Sequence, residues 1–239
     1  MSGFEGLELR PGSRLLDSEP LSEQVYLVLR DAICDGVFPD HTHLVQGDLA
    51  EQLQVSRTPV RDALLRLSQE NLVRGVGARG YVVEALSERD VLDIYEVRLC
   101  LEIQGALLAL PHFSAAAMRR IEEINDNIND PQYSGADQYD LNRDFHMAVI
   151  DPCPNRLLVK IIGDTWEQPM SRRVFRRQLA AHDGQAGFAD DHQPIISALR
   201  NRDAEALKVE LEHHLVTARN EVSRFLSVGD GKGTDVEST

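Results

Sequence analysis

The ten residues Val55-Ser-Arg-Thr-Pro-Val-Arg-Asp-Ala-Leu64 constrain this chain more than any other stretch. At helical spacing Val60, Ala63, Leu64 and Leu67 form one apolar stripe, while Thr58, Arg61 and Asp62 lie away from it and Arg57 sits at the helix start. Pro59 suits a first helical turn, where its missing N–H costs nothing, and Ser56 or Thr58 can cap it. The pattern predicts a helix from about Thr58 to Asn71. Upstream, Val25, Leu29, Ile33 and Val37 recur on a first helix, and Asp48 to Leu53 reads as a short second one, broken at Gln54-Val55. Downstream, Leu72-Val73-Arg74 and Tyr81-Val82-Val83 read as two strands of a hairpin around Gly75, Gly77 and Gly80. Helix, helix, turn, helix, hairpin is the order of a winged helix-turn-helix, built from three helices plus a small β-hairpin.

The rest of the chain reads as helix. Ser87 to Asp90 resembles a capping box, with Asp in place of Glu, and opens a long helix to about Leu110, stopped by Pro111. Further helices are expected at Ser114–Ile128, Ala136–Ile150, Asn155–Ala181 with a bend at Pro169, Asp190–Arg200 and Asp203–Leu226. That makes an all-α antiparallel bundle of about six helices in a mainly α protein. The expected organisation is a flexible leader over 1–19, a DNA-binding domain over 20–84, a helical domain over 89–226 and a disordered tail over 227–239.

Charge and cysteines narrow the setting. A formal net charge of −14 argues against a protein that coats nucleic acid without sequence preference. A small basic reading head on an acidic carrier remains open. Arg57, Arg61, Arg66, Arg74 and Arg79 face only Asp62 and Glu70 between Val55 and Gly80. No apolar run approaches the roughly 18 residues of a membrane helix, and no signal peptide is visible at Met1 to Gly12. Cys34, Cys100 and Cys153 form no CxxC pair and suit a reducing cytoplasm.

Arg57 and Arg61 at the head of the third helix can each grip a guanine edge or a phosphate, and the alternative is that they simply solvate an exposed face. Arg79 at the hairpin tip can enter a minor groove or touch the backbone. In the helical block, Asn142 and His146 are four apart and share a face; His192 lies at a helix start, and His214 on the last helix. Imidazoles from separate helices plus an amide oxygen can close a divalent metal site, although lone histidines are commonly ordinary core or surface residues. Arg98 can hold an effector carboxylate bidentately or pair internally with Glu102. The run Arg172-Arg173-Val-Phe-Arg176-Arg177 can line a pocket mouth, contact DNA or lie in solvent, with solvent favoured.

Leu49-Ala-Glu-Gln-Leu53, the Val55 to Leu64 stretch, Arg66-Leu67, Leu72-Val73 and Arg79-Gly80-Tyr81-Val82-Val83 resemble the N-terminal domain of GntR-family regulators over residues 21–83. The resemblance implies that Arg57, Thr58 and Arg61 contact the operator, with Ser56 and Arg79 beside them and Gly80 shaping the wing. Gln46-Gly47 and Pro39-Asp40 depart from the family pattern. Tyr95-Glu-Val-Arg98 with Glu102, then Asn142 with His146, Asn155-Arg-Leu157, His192 with Ile195, and His214-Leu215 resemble the FCD effector domain of the FadR subfamily, over about 89–226. There an Asp and three histidines hold a metal such as zinc or nickel; this chain has Asn142 in place of the Asp. The expected function is a homodimeric transcription regulator, a repressor, whose grip on operator DNA is controlled by a small organic acid. The alternatives are a metal-dependent enzyme and a winged helix that binds protein. Against the enzyme, no general base accompanies the ligands, and there is no nucleophile elbow or phosphate loop.

Overall fold

The computed structural model describes residues 20–77, 80–128, 130, 132–133, 135–181 and 188–230. The expected leader, Arg79, His182 and the tail beyond 230 lie outside them. The chain divides into two compact units, Met1–Leu86 and Ser87–Thr239.

In the first unit the order is α1 (Leu21–Cys34), β1 (His43–Leu44), α2 (Gln46–Gln52), α3 (Arg57–Gln69), β2 (Val73–Gly75) and β3 (Tyr81–Val83). Leu29 and Ile33 of α1 meet Val60, Leu64 and Leu67 of α3, and Leu49, Leu72 and Val83 close this core. The helix α3 stops short of its expected end. Asn71 adopts φ 58°, the left-handed conformation that terminates helices, and the Leu72 N–H reaches back to the Leu67 carbonyl at 2.9 Å.

The expected two-stranded hairpin is a three-stranded antiparallel sheet of order β1-β3-β2, with Val73 opposite Val83 and His43 opposite Val82. Two residues are too few to show the alternation that betrays a strand, so β1 had no signature of its own. Gly80 is required here. Its φ is +96°, and a Cβ would stand 2.5 Å from the Leu44 carbonyl oxygen.

The second unit holds α4 (Glu88–Ala109), a 3-10 turn at Leu110–His112, α5 (Ala115–Ile128), α6 (Gly135–Ile150), α7 (Arg156–Trp166), α8 (Pro169–Ala181), α9 (Phe188–Asn201) and α10 (Ala204–Asp230). The capping box is real: the Ser87 hydroxyl accepts from the Asp90 N–H at 3.2 Å, and the Asp90 carboxylate accepts from the Ser87 N–H at 2.8 Å. Phe145, Val149, Ile150, Ile162, Trp166, Ile195, Leu199 and Leu211 form the bundle core.

Two expectations are corrected. Asn155–Ala181 is two helices rather than one bent helix, which makes seven in this unit among the described residues. Proline is tolerated in the first turn of a helix, where its missing N–H costs nothing, and α8 starts at Pro169. The Ser171 hydroxyl and the Tyr139 hydroxyl donate to the last carbonyls of α7, those of Thr165 and Trp166, which fixes the break. At the other end, α10 continues to Asp230, into the expected tail.

Candidate functional site

The outward face of α3 carries Ser56, Arg57, Thr58 and Arg61, all exposed, while Pro59, Val60, Ala63, Leu64 and Leu67 are buried behind them. Ser56 takes the N-cap position, but its side chain makes no capping hydrogen bond, contrary to expectation. The Arg57 guanidinium lies over the start of α2, where Gly47 has no side chain; a Cβ there would sit 3.5 Å from Arg57 Nη2. Arg61 pairs with its neighbour Asp62 at 3.0 Å, and both side chains are largely exposed. Such a pair is worth under about 1 kcal/mol and yields readily to a phosphate or base.

The basic strip is narrower than the sequence suggested. Arg66 is committed to Glu23 at 2.6 Å and to Glu70 at 3.3 Å, with its guanidinium 3.5 Å over the Tyr26 ring. Arg74 is paired with Glu84 at 2.7 Å. Of the strip's described arginines, Arg57 and the weakly paired Arg61 are those left to face a partner.

Inside the second unit, four helices deliver polar groups to one centre. Tyr95, Arg98 and Glu102 stand on successive turns of the buried side of α4; α6 brings Asn142 and His146, α9 brings His192 and α10 brings His214. One nitrogen from each of the three histidines lies within 4.8 Å of the others. His146 and His192 are sealed from solvent, and His214, only partly buried as a whole residue, turns its ring into the same enclosed centre. The remaining described histidines, His41, His43, His112 and His213, are exposed.

Second partners orient these rings. Glu102 Oε2 lies 2.8 Å from His146 Nδ1, and Asn125 Oδ1 lies 3.1 Å from His192 Nδ1. His192 Nδ1–H donates to the Asn125 oxygen, which leaves its Nε2 as the lone-pair nitrogen, while the Glu102 carboxylate stands beside His146 Nδ1 as a charged neighbour. Phe145 stacks on the His192 ring at 3.7 Å with planes 4° apart, fixing its rotation. His192 Nε2 and Asn142 Oδ1 are buried and have no hydrogen-bond partner. Unsatisfied buried polar atoms are costly and call for an explanation, and atoms of these two types are metal donors.

Electrostatics follow from enclosure. Burial pushes His192 and His214 well below the ordinary histidine pKa, and the neighbouring cationic forms add to it. His146 is also lowered by burial, against the pull of Glu102. Burial alone would raise the Glu102 carboxyl, but Arg98 and His146 overcome this and hold it at about 2. The three rings are therefore neutral at pH 7, the form that ligates a metal.

Arg98 engages Glu102 through Nε at 2.7 Å and turns Nη2 toward His146 Nε2 at 3.4 Å, while its guanidinium carbon lies 4.0 Å from the Trp166 ring. The internal pair envisaged from the sequence is thus formed, and one edge of the fork still faces the histidine centre. The arginine run on α8 is corrected: Arg173 is fully buried and Arg172, Arg176 and Arg177 are partly buried, so the run does not lie in solvent. Sequence reasoning missed Asn125 and Trp166. Asn125 carries no spacing relation to His192, and nothing in the sequence ties the ring of Trp166 to Arg98.

An exposed, arginine-bearing helix on one unit and an enclosed donor centre in the other suit a transcription regulator with an effector domain. The model for bacterial regulatory proteins of the gntR family matches residues 21–83, and that for the FCD domain matches 93–217, over half of the chain. The chain belongs to the GntR family of operator-binding transcription regulators, in its FadR-like branch with an FCD effector domain. It is similar to the transcriptional regulator McbR of Escherichia coli K12, 27% identical over 65% of this chain and 72% of that one. It also resembles the transcriptional repressor GlaR of the same organism, 25% identical over 80% of this chain and 91% of that one. In fold it matches the crystal structure of a GntR regulator from Rhodococcus sp. RHA1 with a TM-score of 0.67, at 23% identity over 84% of this chain and 96% of that one. No described helix is long and apolar enough to cross a membrane.

Proposed function

We propose that this regulator is a homodimeric repressor of the bacterial cytoplasm, released from its operator by a small carboxylate held between a divalent metal and Arg98. The observation that carries this reading is the convergence of three neutral imidazoles with the unpartnered Asn142 Oδ1 and His192 Nε2 beside a buried guanidinium. His146, His192, His214 and Asn142 would hold zinc or nickel, which supplies a Lewis-acidic charge for an anion. Arg98 supplies the second positive group, and Glu102 keeps it in place by its Nε edge while standing beside His146 Nδ1. Two positive groups at one His146 edge favour an anion over a neutral sugar or a cation.

Dimerisation is supported by the reading head, because one recognition helix covers too few bases for a specific site. The second unit also offers Leu157 and Ile161, exposed one turn apart on α7, and Val97, exposed on α4. Protein purified without a metal-affinity tag is expected to hold about one metal per chain by elemental analysis, lost in the triple His146, His192, His214→Ala variant. Metal-free protein that still answers its effector would sink the reading.

A further inference from the structure

We propose that metal and anion enter this centre only as a pair, and that Asn142 is the residue that makes them do so; this rests on the metal reading above. The case is a count of charge. Three imidazoles and one amide bring none when they coordinate. Among the described residues the acid set against a histidine of the centre is Glu102, and its charge is matched by Arg98 at 2.7 Å, while Glu221 acts on Tyr95. Asp144, two residues from His146, is engaged by Arg143 at 3.0 Å. A divalent ion therefore adds two uncompensated charges to a site in which His146 and His192 are closed to solvent. Uncompensated charge in a protein interior is strongly unfavourable, so neutral donors alone hold the ion weakly.

An anion removes that penalty. Arg98 Nη2 lies 3.4 Å from His146 Nε2, the ring nitrogen opposite the one that faces Glu102. An anion at this edge meets the guanidinium and the metal together. Without the metal it gains little, because Arg98 is already neutralised by Glu102. Each ligand is weak alone and strong with the other. A carboxylate at position 142 would cancel one of the two charges and so weaken the dependence of metal on anion.

The chain carries its own reporter. Trp166 is its one tryptophan, with its ring 5.2 Å from that of His146. Ni2+, a paramagnetic quencher of nearby indole, is titrated into full-length protein stripped with a chelator, once in chloride buffer and once with millimolar acetate. For the native chain, acetate is expected to tighten Ni2+ binding by about tenfold or more, within the usual range of coupling between sites. Asn142→Asp, checked for folding by circular dichroism, is expected to bind Ni2+ more tightly than the native chain in chloride alone, with an acetate effect at least about threefold smaller. Equal Ni2+ affinity of the native chain in both buffers overturns the proposal and needs no variant. Equal acetate dependence in Asn142→Asp overturns the role of Asn142. Ni2+ binding without coupling leaves the metal reading standing and removes only the pairing, whereas no quenching in either protein and either buffer removes both.

Discussion

Glu102 has a guanidinium 2.7 Å from one oxygen and an imidazole 2.8 Å from the other, with no water-facing surface to dilute either. This fixes how the metal-free sensor responds to acid. Unfolded histidine takes up its proton near pH 6.5, but the buried His192 and His214 rings do so only well below that value. Glu102, held at about 2 instead of 4.5, behaves in the same sense at lower pH. All three bind fewer protons when folded, so their contribution to stability is full above the unfolded pKa and lost as pH falls. The urea midpoint of chelator-stripped protein is expected to fall between about pH 7 and about pH 5.5, and further below about pH 4.5. A midpoint that holds steady over the upper interval would mean these rings are not sealed. Asn142 and His146 were legible in the sequence because residues four apart share a helix face. The acceptor for His192 was not, because Asn125 lies 67 residues away on another helix and nothing local marks it. The Arg98–Glu102 spacing left two readings open, and the structure forms the internal pair through Nε and turns Nη2 toward His146.

The element proposed to read DNA is α3, and its legibility came from an apolar stripe strong enough to set which side faces out. Replacing Arg57 or Arg61 with Ala is expected to weaken operator binding by about 1–3 kcal/mol each in a mobility-shift assay, with folding intact. Affinity unchanged in both variants would remove α3 as the reader. The same substitution at Arg74 is expected to leave the operator affinity nearly intact, because that side chain serves Glu84. Elements were misread where the deciding interaction was not local. The strand β1 exists because β3 offers it a partner, and α7 ends because hydroxyls of Tyr139 and Ser171 take its last carbonyls. Pro169 marked the place of that break without saying whether the helix would bend or stop.

At the scale of the whole chain, the proposed effector response ties the two units together through binding equilibria. If the effector lowers operator affinity by some factor, operator DNA must lower effector affinity by the same factor, typically about 5- to 150-fold. Calorimetric titration of effector into free protein and into the protein–operator complex is expected to show this matched loss. Arg98→Ala is expected to abolish the response while leaving unliganded operator binding as it was, because Arg98 belongs to the second unit. A normal response from Arg98→Ala would remove the guanidinium from the sensing step. A matched pair of affinities that do not change would break the coupling itself.

The bare N-terminus of α3 has a consequence of its own. The first backbone N–H groups of any helix lack partners within it, and here the Ser56 side chain does not supply one and no acid stands in the first turn. A DNA phosphate placed against Arg57 and Thr58 would take that role, so the operator would act as the last piece of the domain's own secondary structure. Amide hydrogen exchange at Arg57 and Thr58 is then expected to slow on operator binding by more than at Leu64 or Leu67, where the helix is already complete without DNA.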